Sequence, residues 1–223
     1  MGGFDQMTAQ LGGFWDSMLG EGRHWWITAN SDSHQHYDEG GVDFWPGEYS
    51  KTYVYADKNH DSILSGLRAG HVFVTTGHLV SEVYVEVARG NQSASMGEEI
   101  TVAADSEVRV TIRIRDPQSL NPAGENPSVN RVDLIVGEVT GIARDPTVNS
   151  NSSTRVLKRF TSKDWAQRGE YITMSETFSV SHPLYIRVRG TNTDELEPEK
   201  DPPAENPWQD LWFYSNPVFI KTE

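Results

Sequence analysis

The chain has 223 residues, 36% of them hydrophobic and none of them cysteine, and its 32 acidic residues against 19 lysines and arginines give a formal charge of −13. This composition supports a buried core, excludes disulfides and cysteine-ligated zinc, and argues against nucleic acid as a partner. No apolar run reaches the roughly 20 residues of a membrane helix, so no membrane partner is expected. The compartment stays open between cytoplasmic and exported.

The first part of the sequence mixes helix and strand patterns. Between residues 11 and 19 apolar side chains recur at spacings of three and one, which predicts an amphipathic helix that stops near Gly20. Residues 25–29 form a short aromatic and β-branched run, where we expect a buried strand. Three further elements follow: a strand at 52–55, a helix from about 59 to 70, and a strand at 71–75. This order predicts an α/β layer with crossover connections.

From about Leu79 onward apolar and polar residues alternate with a period of two, which is typical of strands with one solvated face. Residues 211–220 are a further candidate strand, in which Pro217 allows only an edge position or a bulge. The predicted fold class is α+β, with an α/β segment over residues 1–78 packed on an antiparallel, immunoglobulin-like β-sandwich over residues 79–223. The alternating stretches are 82–88, 107–115, 131–136, 171–180 and 184–189.

A candidate metal-binding motif, Asp32-Ser33-His34, follows the predicted strand at 25–29 directly. A carboxylate and an imidazole two residues apart at the C-terminal end of a strand can both point into the crevice where α/β enzymes keep their sites. Carboxylate oxygen and imidazole nitrogen suit zinc, manganese or iron. The alternative interpretation of the motif is a solvated turn. His36 is a possible third ligand, although a second histidine in a polar loop is ordinarily an exposed side chain.

Further motifs lie around this one, in the order residues 15–19 with Gly22 and Arg23, 31–34, Pro46 and Gly47, 52–56, and 63–75. This order resembles the C-terminal end of a PHP (polymerase and histidinol phosphatase) domain, a family of metal-dependent phosphoesterases. The resemblance covers about the first third of the chain. It implies a distorted barrel holding two or three metal ions, to which Asp32 and His34 contribute ligands. The family's opening His-x-His motif and its middle Glu and His ligands have no counterpart in this sequence.

Two ligands are fewer than a catalytic metal needs, since such sites have about three protein ligands and an open position for water. We therefore expect an incomplete metal site in a C-terminal fragment of a larger phosphoesterase. The parent enzyme would hydrolyse a small phosphorylated substrate with metal-activated water, the remainder of the PHP barrel would be the partner of this chain, and the chain alone would be inactive.

The alternative function is a non-catalytic β-sandwich module that binds a carbohydrate or a protein partner. Its possible ligand contacts are aromatic side chains in or beside loops, which otherwise cap the sandwich or fill the interface between the two halves. A stripe of arginines could bind an anion, or could pair with Glu82, Glu86 and their neighbours across strands. The aromatic side chains are Trp45, Trp165, Trp208, Trp212 and Tyr214, and the arginines are Arg109, Arg113, Arg115, Arg187 and Arg189.

Overall fold

The computed structural model of the chain describes residues 6–31, 33–34, 44–198 and 206–223. Within these ranges it contains three helices, α1 (Gln6–Ala9), α2 (Phe14–Gly20) and α3 (His60–Ala69). Its strands are β1 (Lys51–Val54), β2 (Val72–Thr75), β3 (Glu82–Arg89), β4 (Gln92–Ser95), β5 (Glu99–Val102), β6 (Ser106–Arg115), β7 (Arg131–Glu138), β8 (Arg155–Phe160), β9 (Ala166–Arg168), β10 (Tyr171–Val180), β11 (Leu184–Thr191), β12 (Trp212–Ser215) and β13 (Val218–Thr222).

The strands form two sheets. The smaller sheet has the order β4-β3-β6-β10-β9, and every neighbouring pair in it is antiparallel. The larger sheet has eight strands and is built around β11, which pairs with β7 on one side and with both β12 and β13 on the other. From β11 this sheet continues through β7 to β8, through β12 to β2 and β1, and through β13 to β5. Among the described strands only the β13–β5 pair is parallel.

The two sheets enclose one hydrophobic core, and the period-two pattern explains why. In β6 the apolar side chains alternate with exposed ones, and Val110, Ile112 and Ile114 have no exposed surface. The larger sheet turns Leu134, Val188 and other side chains toward the same core. Each such side chain contributes roughly 1.5–3 kcal/mol by leaving water. The sandwich predicted from the alternating pattern is therefore confirmed.

The elements of the first part form largely where the sequence predicts them. Asn59 caps the start of α3: its Oδ1 accepts a hydrogen bond from the Ser62 amide at 2.9 Å. Gly70, which has a left-handed φ of 77°, follows the last residue of the helix. The strands on either side of it are antiparallel, with Lys51 opposite Thr75, so the predicted crossover connection is wrong for this pair. A hydrophobic period identifies a strand but does not encode its direction.

Residues 211–220 form two strands, β12 and β13, where the sequence predicts one. Pro217 has no amide hydrogen, and the chain bends at Asn216 and Pro217 between the strands. The Asn216 amide donates to the Val72 carbonyl at 3.2 Å, and the Pro217 carbonyl accepts from the Gly97 amide at 2.8 Å. The bend sends β12 toward β2 and β13 toward β5, so the larger sheet forks beside β11.

Candidate functional site

Residues 23–31, which we name the crossing segment, lead into the predicted metal motif. The prediction of a buried strand there is wrong, because the segment lies across the outer face of the larger sheet, the face turned away from the smaller sheet. Ile27 and Ala29 pack on Val74, Trp212 and Tyr214 of that face. The aromatic and β-branched residues of the segment thus pack on the face of a sheet. The same residue types are also common within strands, which is why the sequence indicates a strand here.

Side chains hold the backbone of the crossing segment in place. The Ile27 amide donates to Asn216 Oδ1 at 2.9 Å, between β12 and β13. The Thr52 hydroxyl on β1 accepts from the Ala29 amide and donates to the Ala29 carbonyl, both at 2.9 Å. Trp26 Nε1 donates to the Arg68 carbonyl near the end of α3 at 2.8 Å. These bonds bring the chain to the β1 edge of the sheet just before Ser31.

Of the predicted metal ligands, His34 lies among the described residues. Asp32 and His36 lie outside the described residues. His34 is exposed, and beside it the Ser33 amide donates to the Ser31 hydroxyl at 3.3 Å. Among the residues that the structure describes, no group of three or more His, Asp or Glu side chains is placed to hold a metal ion. The metal site over Asp32 and His34 therefore stays a prediction.

A buried ion pair lies on the outer face of the larger sheet, under α2. Arg187 of β11 donates to both carboxylate oxygens of Asp16, through Nε and Nη2, at 2.7 Å each. The Tyr185 hydroxyl donates to Asp16 Oδ1 at 3.0 Å, and the guanidinium lies 4.9 Å from the ring centre of Trp15. Burial lowers the pKa of Arg187, but the charge and hydrogen bonds of Asp16 outweigh it and raise that pKa, so the guanidinium stays charged.

A second buried ionic cluster lies beside it. Arg189 donates to Asp133 at 3.1 Å and makes two bonds to the Glu197 carboxylate at 2.7 and 2.8 Å. Arg131 donates to the other oxygen of Asp133 at 3.1 Å, and both guanidinium groups lie within 6 Å of the Trp212 ring centre, at 5.8 and 5.5 Å. Each guanidinium of this cluster has a carboxylate partner, so we interpret the cluster as part of the folded core and not as a ligand site.

These two clusters correct the predicted arginine stripe. Arg187 and Arg189 have no exposed surface, and their acids lie outside the smaller sheet, so pairing with Glu82 or Glu86 is wrong for them. Arg187 pairs with Asp16, 171 positions away, and Arg189 pairs with Asp133, opposite it on β7, and with the nearby Glu197. Both faces of β11 are covered, by the core on one side and by α2 and residues 194–197 on the other, and a period of two cannot show that the second face is covered.

Of the three predicted arginines on the smaller sheet, Arg115 pairs with acids as the pairing interpretation predicts, whereas Arg113 contacts tyrosine rings and Arg109 a serine. Arg115 donates to Glu82 at 3.3 Å and to Glu170 at 2.8 Å. Arg113 lies over the Tyr171 ring at 4.0 Å and near the Tyr84 ring at 5.7 Å, and Arg109 donates to Ser175. The guanidinium groups of Arg113 and Arg115 thus contact aromatic or acidic side chains of the same sheet.

Of the aromatic side chains considered for sugar binding, most are structural. Trp212 and Tyr214 are buried under the crossing segment, and Trp165 and Trp208 pack against the core. Trp45 is 52% exposed. The interpretation that these rings cap the sandwich or fill the interface is therefore confirmed for all of them except Trp45.

A pair of basic side chains is present that the sequence pattern does not reveal. Lys51, the first residue of β1, contacts His78 in the turn after β2, through Nζ and Nε2. The two residues are 27 positions apart in the chain, and they meet because β1 and β2 are antiparallel with Lys51 opposite Thr75. Sequence alone could have found this pair only through the direction of these strands.

The comparisons with known proteins leave the family open. No protein-family model matches the chain, and no curated protein is significantly similar to it. In the described part of the chain no helix is long and apolar enough to span a membrane. Any assignment of function therefore rests on the residues and their geometry.

Proposed function

We propose that this chain is the C-terminal part of a PHP-like, metal-dependent phosphoesterase, and that the loop after the crossing segment supplies Asp32 and His34 to a divalent metal site. The observation that carries the proposal is the crossing segment itself. It delivers the loop to the sheet edge at β1 and leaves part of its own surface open. The remainder of a PHP barrel is the partner that would cover this surface.

The open surface of the crossing segment has an exposed apolar side chain and backbone groups that can form hydrogen bonds. Trp25 is 47% exposed, with Arg23 lying 5.9 Å from its ring centre. Within the described residues the hydrogen-bonded backbone groups of residues 25–29 are the Ile27 and Ala29 amides and the Trp25 and Ala29 carbonyls. Backbone with unpaired amides and carbonyls can pair with another strand. A neighbouring barrel strand would satisfy these groups and bury Trp25.

The donor set fits the proposed metal but does not complete its site. Asp and His side chains are ligands for zinc, manganese or iron. The metal would activate a water molecule and offset charge on the phosphoryl oxygens. In this chain the Thr52 hydroxyl and Asn216 Oδ1 position the crossing segment, and so the start of the loop, from two sides. The further ligands would come from the preceding barrel, where we expect a His-x-His motif.

Metal analysis tests this proposal directly. We expect the purified chain to bind manganese or zinc weakly, and the Asp32→Ala variant to lose that binding. Asp57→Ala removes an exposed acid before α3 and is the matched control. Metal content measured by plasma mass spectrometry after equilibration with each ion gives the readout. Equal metal content in the Asp32→Ala variant and the unchanged chain would contradict the assignment.

Activity measurements test whether the site is incomplete. The chain alone should not hydrolyse a generic phosphomonoester such as 4-nitrophenyl phosphate in the presence of manganese or zinc. Turnover by the chain alone, lost on Asp32→Ala, would mean that the metal site is complete without the rest of a barrel.

A cleft favours the second candidate function, carbohydrate binding by the sandwich. It has a volume of about 300 Å³ and lies where β1 and α3 meet the smaller sheet, between Tyr55, Tyr84, His71, Glu86 and Glu98. The Tyr55 and Tyr84 rings are 5.2 Å apart, and Tyr84 is 41% exposed. An exposed ring beside carboxylates suits a sugar. Binding of neutral oligosaccharides that is lost on Tyr84→Ala and kept on Trp45→Ala would favour this function.

A further inference from the structure

The contact between Lys51 and His78 places two basic groups together without an acid. A lysine ammonium can only donate, so His78 Nε2 must accept and the imidazole is neutral in this state. Within the described residues neither side chain has a carboxylate at ion-pair distance, although Lys158 and Lys221 do have one. Although the chain has 32 acidic residues, none that the structure describes forms an ion pair with this lysine or this histidine.

The backbone around the pair holds His78 in place. His78 has a φ of 61°, which is uncommon for a residue other than glycine. Leu79 and Val80, which follow it, have no exposed surface, and the Gly77 amide before it donates to the Tyr49 carbonyl at 3.1 Å. Buried neighbours on one side and a hydrogen bond on the other thus keep the imidazole turned toward β1, where Lys51 begins the strand.

The environment resists charge on both side chains as long as no anion is bound. Burial lowers the pKa of Lys51. Burial also lowers the pKa of His78, the charge of Lys51 lowers it further, and a hydrogen bond to the Gly47 carbonyl acts in the opposite direction. An anion between the two groups would reverse both effects, because it attracts a protonated imidazole and an ammonium at once.

We propose that Lys51 and His78 form a binding site for a small phosphoryl dianion. The Lys51 ammonium supplies one charged donor, and His78, protonated when the anion enters, supplies the second through Nε2. Two positive donors on one site favour a dianion over a monoanion such as acetate. The site lies at the ends of β1 and β2 and does not involve Asp32 or His34, so it stands without the proposed metal site.

Nuclear magnetic resonance of the metal-free chain tests the site with inorganic phosphate as the probe. We expect phosphate to move the imidazole nitrogen signals of His78 toward those of the protonated ring at neutral pH, and acetate at equal concentration to leave them in place. Phenyl phosphate in a parallel titration shows whether an esterified phosphoryl group enters as well as the free ion.

Four variants assign the binding to these side chains. Lys51→Gln and His78→Asn should each weaken phosphate binding roughly tenfold or more, since each removes a charged hydrogen bond, and asparagine tolerates the left-handed backbone of position 78. Lys51→Arg keeps the charge and should keep binding. Lys58→Gln, at an exposed lysine before α3, is the control and should leave it unchanged.

The proposal is overturned if phosphate leaves the His78 signals unmoved, or if Lys51→Gln binds phosphate as tightly as the unchanged chain. Circular dichroism of each variant checks that it is folded. If Lys51→Gln fails to fold, the comparison of Lys51→Arg with His78→Asn decides, because only the second removes a charged donor. These readouts need no metal, so their failure is distinguishable from failure of the proposed phosphoesterase.

Discussion

Asp16 shows how much of this structure depends on single buried charges. Asp16 is 1% exposed. Its carboxylate accepts hydrogen bonds from the Gly12 amide, the Tyr185 hydroxyl and two nitrogens of Arg187. These partners come from the loop before α2 and from β11, so one side chain ties the helical part to the centre of the larger sheet. A buried pair of this kind gives little net stability by itself, but removing one partner leaves the other charge uncompensated.

We therefore predict that Asp16→Asn lowers the free energy of unfolding by about 3–5 kcal/mol, because Arg187 would stay buried without its counter-charge. Urea denaturation monitored by tryptophan fluorescence gives the value. Glu99→Gln breaks the exposed ion pair with Lys221 and should cost at most about 1 kcal/mol. A similar small loss for both variants would show that the Asp16 to Arg187 pair is not buried as described.

Asp116 makes the free energy of unfolding depend on pH. Burial raises the pKa of its carboxyl above the ordinary value, the Val129 amide at 3.0 Å opposes this, and the charge of Glu170 adds to it. The folded chain therefore keeps this proton at pH values where the unfolded chain has lost it. By linkage, Asp116 lowers stability progressively as the pH rises from the ordinary aspartate pKa, about 3.9, through the raised folded value.

The Asp116→Asn variant carries no titrating group at this position and should lose that part of the pH dependence. We expect its free energy of unfolding, relative to the unchanged chain, to improve as the pH rises from about 4 to 7. Urea denaturation at several pH values measures this difference. Glu107→Gln, at an exposed carboxylate on β6, is the control. A relative stability that is constant over this range would contradict the raised pKa.

At the scale of elements, the end of α3 and the crossing segment depend on each other. Gly70 has a left-handed φ of 77°, and a Cβ at this position would lie 2.5 Å from Trp26 Cδ2. The Trp26 indole in turn donates to the Arg68 carbonyl in the last turn of α3. The helix end thus forms the surface on which the crossing segment packs.

Gly70→Ala should therefore lower the free energy of unfolding by more than the backbone strain of an alanine at this position would. Alanine in a left-handed conformation costs about 1–2 kcal/mol, and displacement of Trp26 should add at least about 1 kcal/mol. Gly169→Ala is the matched control, because Gly169 has a φ of 60° and open space around it. Urea denaturation of both variants separates the two contributions, and equal losses would mean that Trp26 does not pack on Gly70.

The elements also show where sequence reasoning succeeds. α3, β1, β2 and the sandwich strands β3, β6, β7, β10 and β11 were predictable because caps and apolar periods depend on residues close in sequence. The strands β4, β5, β8 and β9 were not predicted. The crossing segment was not, because the same aromatic and β-branched residues suit a strand or a segment lying on a sheet, and only the contact with Trp212 and Tyr214 decides between them. Pro217 made an irregularity in the last predicted strand predictable. That β12 would pair with β2, and β13 with β5, was not.

The candidate site was predictable to a lesser degree. A local motif identifies Asp32 and His34 as possible ligands. The pair of Lys51 and His78 depends on strand direction, and the burial of Arg187 depends on an acid 171 positions away, which no local pattern contains. The interpretation of the arginines was wrong at Arg187 and Arg189, whose acidic partners lie outside the smaller sheet.

At the scale of the whole molecule, the larger sheet joins the first part of the chain to the rest. β1 and β2, from residues 51–75, continue the sheet through β12 to β11. The crossing segment and α2 cover the outer face of the same sheet. The predicted segments 1–78 and 79–223 therefore share hydrogen bonds and apolar surface within the described residues.

We predict that this shared sheet unfolds in one cooperative transition. Far-ultraviolet circular dichroism and tryptophan fluorescence should give coincident urea curves, and amides of β2 and β11 should exchange through an opening of the same free energy. Hydrogen exchange followed by mass spectrometry measures the second quantity. Exchange of β1 and β2 through a separate opening of lower free energy, with β7 and β11 still protected, would show that the first part is independently stable.

The fork at Asn216 and Pro217 also sets the order in which the molecule can be assembled during synthesis. All strands of the smaller sheet lie between residues 82 and 180, so that sheet can form early. β2 must wait for β12, which pairs with it from about 140 residues later, and β5 must wait for β13. Until residues 212–222 leave the ribosome, the edges of β2, β5 and β11 remain open to wrong partners, and this period is when the nascent chain most needs a chaperone.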